Sequence, residues 1–424
     1  MLRRRSILML APVLALITLL AWAVASPVGS SPDDDFHLTS IWCASPSSAQ
    51  YCQQDGATGE RVVPKSLAKP ACYAFDAKKS AACQSDLTFV ATPDTPSTRG
   101  NYAGGYPVVY YATMGLFAGN DIVASALWMR VLNILLFVGL GTALYLLLPV
   151  HRRPALVWSW VLTTVPLGLF VLSSNNPSAW TMTGIGMGWI ALLGYFETTG
   201  RRRIALGSLF ALSALMAAGA RSDGAIYIVL AVVAVGILTF EKSKRWMRSA
   251  ILPAAVAALS MVFFRSSRSF ESLTTGLPDQ NLPHDFLGLV VYNLFEGPSL
   301  WTGIFGDKWG LGWLDTSMPA VVWLGGVACF VGVGFVAAGR MDWRKLSVVL
   351  GGVLALWLLP TVILVAAGQT VGSNMQPRYL LPLIVMFAGI LLLSVRGRPV
   401  LLTRMQVLLV AATLSVTQLI ALSL

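Results

Sequence analysis

The stretch Pro32-Asp33-Asp34-Asp35-Phe36-His37 sets three carboxylates side by side, a few residues beyond the end of the first long apolar run. Crowded like charges raise at least one pKa, which strengthens that group as a base. A carboxylate held beside a sugar hydroxyl can take its proton during transfer. The same group also binds a cation or a hydroxyl without chemistry. The competing reading is a solvated acidic turn after a helix. The position beside an apolar run argues for Asp33, Asp34 or Asp35 as working groups, because ionisable residues near a membrane tend to be functional. His37 follows Asp33 by four residues and shares its face if the stretch turns as a helix. With three histidines in the chain a metal site is underspecified, so His37 is expected to hydrogen-bond to the acidic group or to a substrate. No cofactor follows from these residues, and a divalent cation at the acidic motif stays open.

Arginines supply the complementary charge. Arg130 lies with Asn133 in M-R-V-L-N, inside an apolar run. An arginine there is costly unless it is paired or near the interface. It either pairs with the acidic cluster or snorkels to the surface. Arg221 and Asp223 share the turn A-R-S-D-G, Arg378 stands in Q-P-R-Y-L-L-P, and Arg265 and Arg268 follow another apolar run. All fall on segments that the topology below places outside, against the usual charge bias. A phosphate or pyrophosphate partner accounts for such arginines; local ion pairing is the alternative. Asp315 in W-L-D-T and the pair His284-Asp285 add polar groups to a later external segment. There Trp301, Trp309 and Trp313 read equally well as interface anchors.

The elements that carry these residues are apolar. The chain is 56% hydrophobic and 12% charged, with a mean hydropathy of +0.69, too apolar for soluble domains of this length. Repeated apolar runs predict an all-α polytopic membrane protein of about 11 transmembrane helices, forming one integral membrane domain over residues 1–424. The expected spans cover residues 6–26, 122–149, 155–173, 178–196, 204–220, 223–240, 249–264, 316–338, 346–367, 379–395 and 401–422. Ala23-Val24-Ala25 resembles a signal-peptidase site; the length of the first run favours an uncleaved anchor. No internal repeat appears, which weakens a transporter built from inverted halves.

The net charge of +11 comes from short clusters between runs: Arg3 to Arg5, Arg152-Arg153, Arg201 to Arg203, Lys242 to Arg248, Arg340 to Lys345, and Arg396 with Arg398. This is the positive-inside pattern, with the N-terminus cytoplasmic. It contains no basic stripe interleaved with aromatics, so nucleic acid is not an expected partner. Residues 27–105 then form a large external loop and residues 265–314 a second external segment. The tyrosine-rich stretch 102–117 reads as a segment lying at headgroup level or as an aromatic belt.

Cys43, Cys52, Cys72 and Cys83 all lie in the first external loop, whereas Cys329 sits in an apolar run as a packing residue. Four cysteines outside the cytoplasm predict two disulfides, with three connectivities to choose from. Cys43–Cys52 with Cys72–Cys83 is preferred because each closes a short loop. Zinc is the rival, but no C-x-x-C pair is present. Nor does the chain contain G-x-x-x-x-G-K-[ST], H-E-x-x-H or G-x-S-x-G. An outward-facing reaction must then draw its energy from the substrate itself, as a lipid-phosphate-linked donor allows.

Five motifs in order carry a resemblance: P-D-D-D-F-H, M-R-V-L-N, S-S-N-N-P-S-A, G-W-L-D-T-x-x-P and Q-P-R-Y-L-L-P. Together they resemble the predicted bacterial membrane proteins of domain-of-unknown-function family 2142. The first motif there is usually P-D-E-x-x-H; Pro32, Asp33 and His37 match it, and Asp34 replaces the glutamate. That family is similar to the GT-C glycosyltransferases, which use polyprenyl-phosphate sugars. The resemblance implies Asp33 or Asp34 as base or acceptor-binding group, with Arg378 and Arg221 facing a donor phosphate and Asp35 a bystander. It implies a bacterial plasma-membrane enzyme that moves a sugar, with inversion, from a polyprenyl-phosphate donor to a polysaccharide, glycolipid or protein acceptor at the outer face. Substrate-binding positions would be His37, Arg130, Arg221, Asp315 and Arg378. The alternative is a non-enzymatic flippase or polysaccharide-export protein, which would be expected to bury charge mid-helix along a pathway; the spans here are nearly free of acids.

Overall fold

Inside a bilayer no water satisfies the backbone, so an apolar run must close its hydrogen bonds within itself, as a helix does. The computed structural model describes residues 2–55, 60–267, 285–339, 341–372, 375–395 and 402–423, with side chains from residue 10 onward. Its principal helices are α1 (Leu2–Ala25), α2 (Asp34–Cys43), α3 (Val108–Gly115), α4 (Ile122–Leu147), α5 (Arg153–Thr163), α6 (Leu167–Leu172), α7 (Ser178–Glu197), α8 (Gly200–Ala220), α9 (Ser222–Thr239), α10 (Lys244–Ser266), α11 (Phe286–Glu296), α12 (Ala320–Ala338), α13 (Trp343–Ala366), α14 (Pro377–Leu391) and α15 (Arg404–Ser423). Seven of these (α4, α8, α9, α10, α12, α13 and α15) are long and apolar enough to cross a membrane, and shorter apolar helices lie at Leu10–Ala25, Phe286–Glu296 and Pro377–Leu391. The chain is a polytopic all-α membrane protein.

One expected span and one expected external segment differ in form. The run at 155–173 is not one helix: α5 stops at Thr163 and α6 restarts at Leu167. Pro166 has no N–H to donate to the preceding turn, and its ring crowds that turn. The segment 265–314 is not all loop, because α11 packs against α13 within it. There Asn293 is buried; its Nδ2 donates to the Gln369 carbonyl at 3.0 Å and its Oδ1 accepts from the Val371 amide at 2.8 Å.

The centre of the bundle is α7, buried from Ser178 to Tyr195. It packs on α8, α9, α14, α6 and α4. Small residues permit this, since helices in lipid gain from close van der Waals approach rather than from hydrophobic exclusion. A Cβ on Gly184 would stand 2.3 Å from the Ser213 carbonyl oxygen of α8, so only glycine fits at that crossing.

The polar segments sort to two ends. At one end Arg152 pairs with Glu197 at 2.6 Å and donates to the Ser394 carbonyl, Arg203 donates to Ser249, Arg344 donates to the Phe240 carbonyl, and Lys345 Nζ donates to the Leu393 carbonyl. Cations thus meet carbonyls that helix C-termini leave unpaired. Arg340, Arg396 and Arg398 of the same basic set lie outside the described residues, as do the side chains of Arg3 to Arg5. The opposite end holds residues 26–121, the short turns α6–α7 and α8–α9, and the segments before α12 and α14.

Residues 26–121 fold against that end. Strands β1 (Gln53–Gln54), β2 (Arg61–Val63) and β3 (Thr95–Ser97) form a small antiparallel sheet in the order β1-β2-β3. Two disulfides, Cys43–Cys52 and Cys72–Cys83, have the preferred connectivity, and Cys329 is free and buried. Helix α2 lies beneath this cap, buried along nearly its whole length. The tyrosines of 102–117 do not all face a headgroup layer. Tyr110 and Tyr111 are buried, Tyr110 against the Trp180 ring at 5.4 Å, because the overlying cap turns α3 into a packed helix.

Candidate functional site

Asp33 is the N-cap of α2 and has left-handed backbone, φ 60° and ψ 23°. Aspartate tolerates that region better than most side chains. The preceding carbonyl is held from two directions: Asn176 Nδ2 donates to the Pro32 oxygen at 3.0 Å and Arg378 Nη1 at 3.1 Å. Both donors come from the bundle, one from the α6–α7 turn and one from the first turn of α14. The acidic motif is therefore clamped onto the transmembrane helices rather than waving above them.

The clamp is also an ion-pair network. Arg378 Nη2 meets Asp33 Oδ2 at 2.5 Å, and its side chain is fully buried while that of Asp33 is one-third exposed. Arg99 reaches Asp33 Oδ1 at 3.2 Å and engages both oxygens of Asp35, with Nη2 at 2.9 Å from Oδ1 and Nε on Oδ2. Burial alone would raise the Asp33 carboxyl, but the Arg378 and Arg99 guanidiniums outweigh it and hold its pKa at about 2.

Asp34 differs. It is fully buried; Oδ2 accepts from the Ser31 amide at 3.1 Å, and Oδ1 has no hydrogen-bond partner. Burial pushes its pKa up to about 7 against the pull of Arg130. One turn of chain thus presents a carboxylate locked in charge pairs beside one with a free oxygen and a proton affinity near neutrality.

His37 is buried, with Nδ1 2.8 Å from the Tyr111 hydroxyl and Nε2 unpartnered. Burial holds the imidazole well below its ordinary pKa, although Asp33 opposes this, so the ring is neutral at pH 7. It makes no hydrogen bond to the acidic group and instead packs edge-on to Tyr106, centroids 5.4 Å apart. Arg221 lies over Tyr106 at 5.6 Å and over Tyr379 at 4.1 Å, and Arg378 lies over the same Tyr379 ring at 5.1 Å. Arg221 also pairs locally with Asp223 at 3.0 Å. Arg221 Nη1 and Arg378 Nε are buried donors without a partner. Two guanidiniums flanking one tyrosine, each with a donor to spare, can take an anion between them.

Arg130 neither snorkels nor forms an ion pair. It is buried, and its guanidinium caps the end of α1, donating to the carbonyls of Ala23 at 2.9 Å, Ser26 at 2.5 Å and Pro27 at 3.0 Å. Its charge still acts on Asp34. Asn133 accepts from the Trp180 indole at 2.8 Å and donates to the Ser174 carbonyl, tying α4 to the α6–α7 turn. Asp315 bonds to Thr316 at 3.2 Å and is not part of the Asp33–Arg378 network. Nearby, the Trp313 indole donates to the Gly29 carbonyl at 2.8 Å. Arg265 is exposed, and Asp285 caps α11 through the Gly288 amide at 2.8 Å. Arg268 and His284 lie outside the described residues.

Among the described residues no three His, Cys, Asp or Glu side chains converge on a metal-sized point. Guanidiniums hold Asp33 and Asp35.

Sequence reading missed Arg99 and misjudged Asp35, which is a buried partner in the network rather than a bystander. Arg99 met the criterion that singled out Arg221 and Arg378, a basic residue on a segment expected outside. Tyr106, Tyr111, Tyr379 and Asn176 carried no chemical signal of their own.

The model of the family described as a predicted membrane protein, DUF2142, matches residues 16–387. No curated protein and no solved structure matches the chain. The family match spans the first apolar helix, the clamped acidic motif and the arginine at the head of α14, and the chain belongs to this family of membrane proteins, DUF2142.

Proposed function

We propose that this protein is a membrane glycosyltransferase that moves a sugar from a polyprenyl-phosphate donor to a hydroxyl of a cell-envelope acceptor at the outer face of a bacterial plasma membrane. The observation that carries the reading is the joining of Asp33 to Arg378 across the sequence, which sets buried guanidinium donors without partners next to the acidic motif that holds Asp34. The basic clusters at the opposite end of the bundle, read by the positive-inside rule, support an external site. The two disulfides agree, since they persist in oxidising compartments.

In this reading Asp34 takes the proton of the acceptor hydroxyl as its oxygen bonds to the anomeric carbon. The bond from that carbon to the donor phosphate oxygen breaks, and the electron pair leaves with the polyprenyl phosphate. Arg378 and Arg221 stabilise that departing charge, as preorganised donors should. Asp33 holds Arg378 in position and is too acidic to serve as the base. A single displacement inverts the anomeric centre. An apolar groove of about 130 Å³ between α9, α13 and α14, lined by residues such as Leu230, Gly351, Gly352, Leu383 and Phe387, runs along the helix headed by Arg378. It suits part of an isoprenoid chain whose phosphate sits at the helix head.

The test uses purified full-length protein in lipid nanodiscs with radiolabelled polyprenyl-phosphate hexoses and an envelope fraction as acceptor pool. Label should pass from the organic phase into the acceptor, and Asp34→Asn and Arg378→Gln should each lose at least about a hundredfold of that rate. Transfer at wild-type rate by both variants refutes the assignment.

A further inference from the structure

A cavity that does not include Arg378 or Arg221 lies against α2. It is a cavity of about 180 Å³ between α2 and the loop closed by Cys72–Cys83, and its lining includes Asp34, Asp35, Lys65, Ser66, Lys69 and Gln84. Asp34 is fully buried at its floor with Oδ1 unpartnered, and Ser66 Oγ is likewise buried and unpartnered. Buried polar atoms without partners are rare in folded proteins, and two lining one cavity mark a place where a ligand completes the bonding. Lys65 and Lys69 are exposed, and neither side chain forms an ion pair among the described residues. The Lys65 backbone amide donates to Asp94 at 2.8 Å.

The two ends of the cavity ask for different groups. Its volume is below the roughly 300–1,000 Å³ of pockets that enclose a drug-sized ligand, so a single small ring fits and a nucleotide does not. At the floor, the Arg130 charge that acts on Asp34 disfavours an ammonium group, whereas a neutral hydroxyl can bond to Asp34 in either protonation state. At the rim, two ammonium groups favour an anion.

We infer that this cavity binds a sugar hydroxyl borne on an anionic glycan, the hydroxyl meeting Asp34 and Ser66 and a neighbouring uronate or phosphate meeting Lys65 and Lys69. The role of this ligand as acceptor rests on the transferase reading above; the binding site does not.

Binding is measured without donor, on full-length protein in nanodiscs of neutral lipid, using oligogalacturonate as the anionic probe and a maltooligosaccharide of equal length as the neutral one. Oligogalacturonate should bind about tenfold tighter than the neutral chain, with the advantage shrinking as salt is raised. Lys65→Gln with Lys69→Gln should erase that advantage. Ala71→Trp, which fills the cavity, should remove binding of both probes. Equal affinity for the two probes, or an unchanged preference in the double lysine variant, overturns the inference. Because no donor is present, failure of sugar transfer leaves this result standing, and transfer without charge preference sinks the inference alone.

Discussion

A carboxylate works as a general base only while it keeps a free lone pair and a proton affinity near the ambient pH. Asp33 has neither, with both oxygens on guanidiniums and a pKa of about 2. Asp34 has both. The rate of transfer should therefore fall about tenfold per pH unit below about 7, the limb of one group that must be ionised. The same shift has a stability consequence. Unfolding returns Asp34 to its ordinary value of 3.8, so between 3.8 and about 7 the native state holds a proton that the unfolded state does not. Stability from this group falls as pH rises through that window. Asp34→Asn removes the dependence: the melting temperature of the variant relative to wild type should climb from about pH 4 to about pH 8 while transfer is lost. A flat difference across that range would contradict the buried-proton assignment. Arg378→Gln should destabilise by about 3 kcal/mol, since it strips a buried partner from a charge pair and frees the Pro32 carbonyl. Arg99 still serves Asp33, which keeps the loss at the low end. Adding Asp33→Asn should restore part of that stability but no activity, as a denaturation series on the double variant would read.

At the scale of elements, the site depends on helices meeting closely enough to bring the Asn176 turn and the head of α14 together at Pro32. Gly184 sets one such distance, where α7 crosses α8. Gly184→Val should force the two helices apart and lower the melting temperature by several degrees, with a loss of activity although residue 184 is not part of the site; overpacking a tight contact typically costs about 1–3 kcal/mol. An unchanged melting temperature would mean that the crossing is softer than its geometry. Much of this level was legible. The apolar periods marked the helices, and the two short cysteine loops pointed to the disulfides that form. The break at Thr164–Pro166 was less legible than it should have been, because Pro166 sits inside an apolar run whose hydropathy continues across it. The inward turn of Tyr110 and Tyr111 was not legible at all: an amphipathic aromatic reads the same facing headgroups as facing a protein cap.

For the whole molecule, the segregation of charge is the dominant feature. Basic side chains cap helix ends at one face, and most acids, both disulfides and the arginines paired with Asp33, Asp35 and Asp223 gather at the other. An impermeant maleimide added to intact cells should label Lys78→Cys, whereas Lys242→Cys should need permeabilised cells; both positions are exposed, and the native free cysteine is buried. The reverse pattern would invert the topology and, with it, the side on which any lipid-linked donor must arrive.

Composition and spacing determined by themselves that the chain is a helical membrane protein and where most of its helices fall to within a few residues. These are consequences of transfer energies summed along a local stretch, and neighbours in space hardly alter them. Only the tertiary structure decided how the ionisable groups pair. Asp33 and Arg378 are separated by most of the chain, Arg99 reaches back to Asp35, Arg130 turns to the end of α1, and Asp34 is left facing a cavity. Which carboxylate is quenched by a cation and which keeps a free oxygen depends on contacts of a few ångströms between distant segments. Three adjacent aspartates, alike in sequence, thereby become two arginine-bound anchors and one buried proton acceptor.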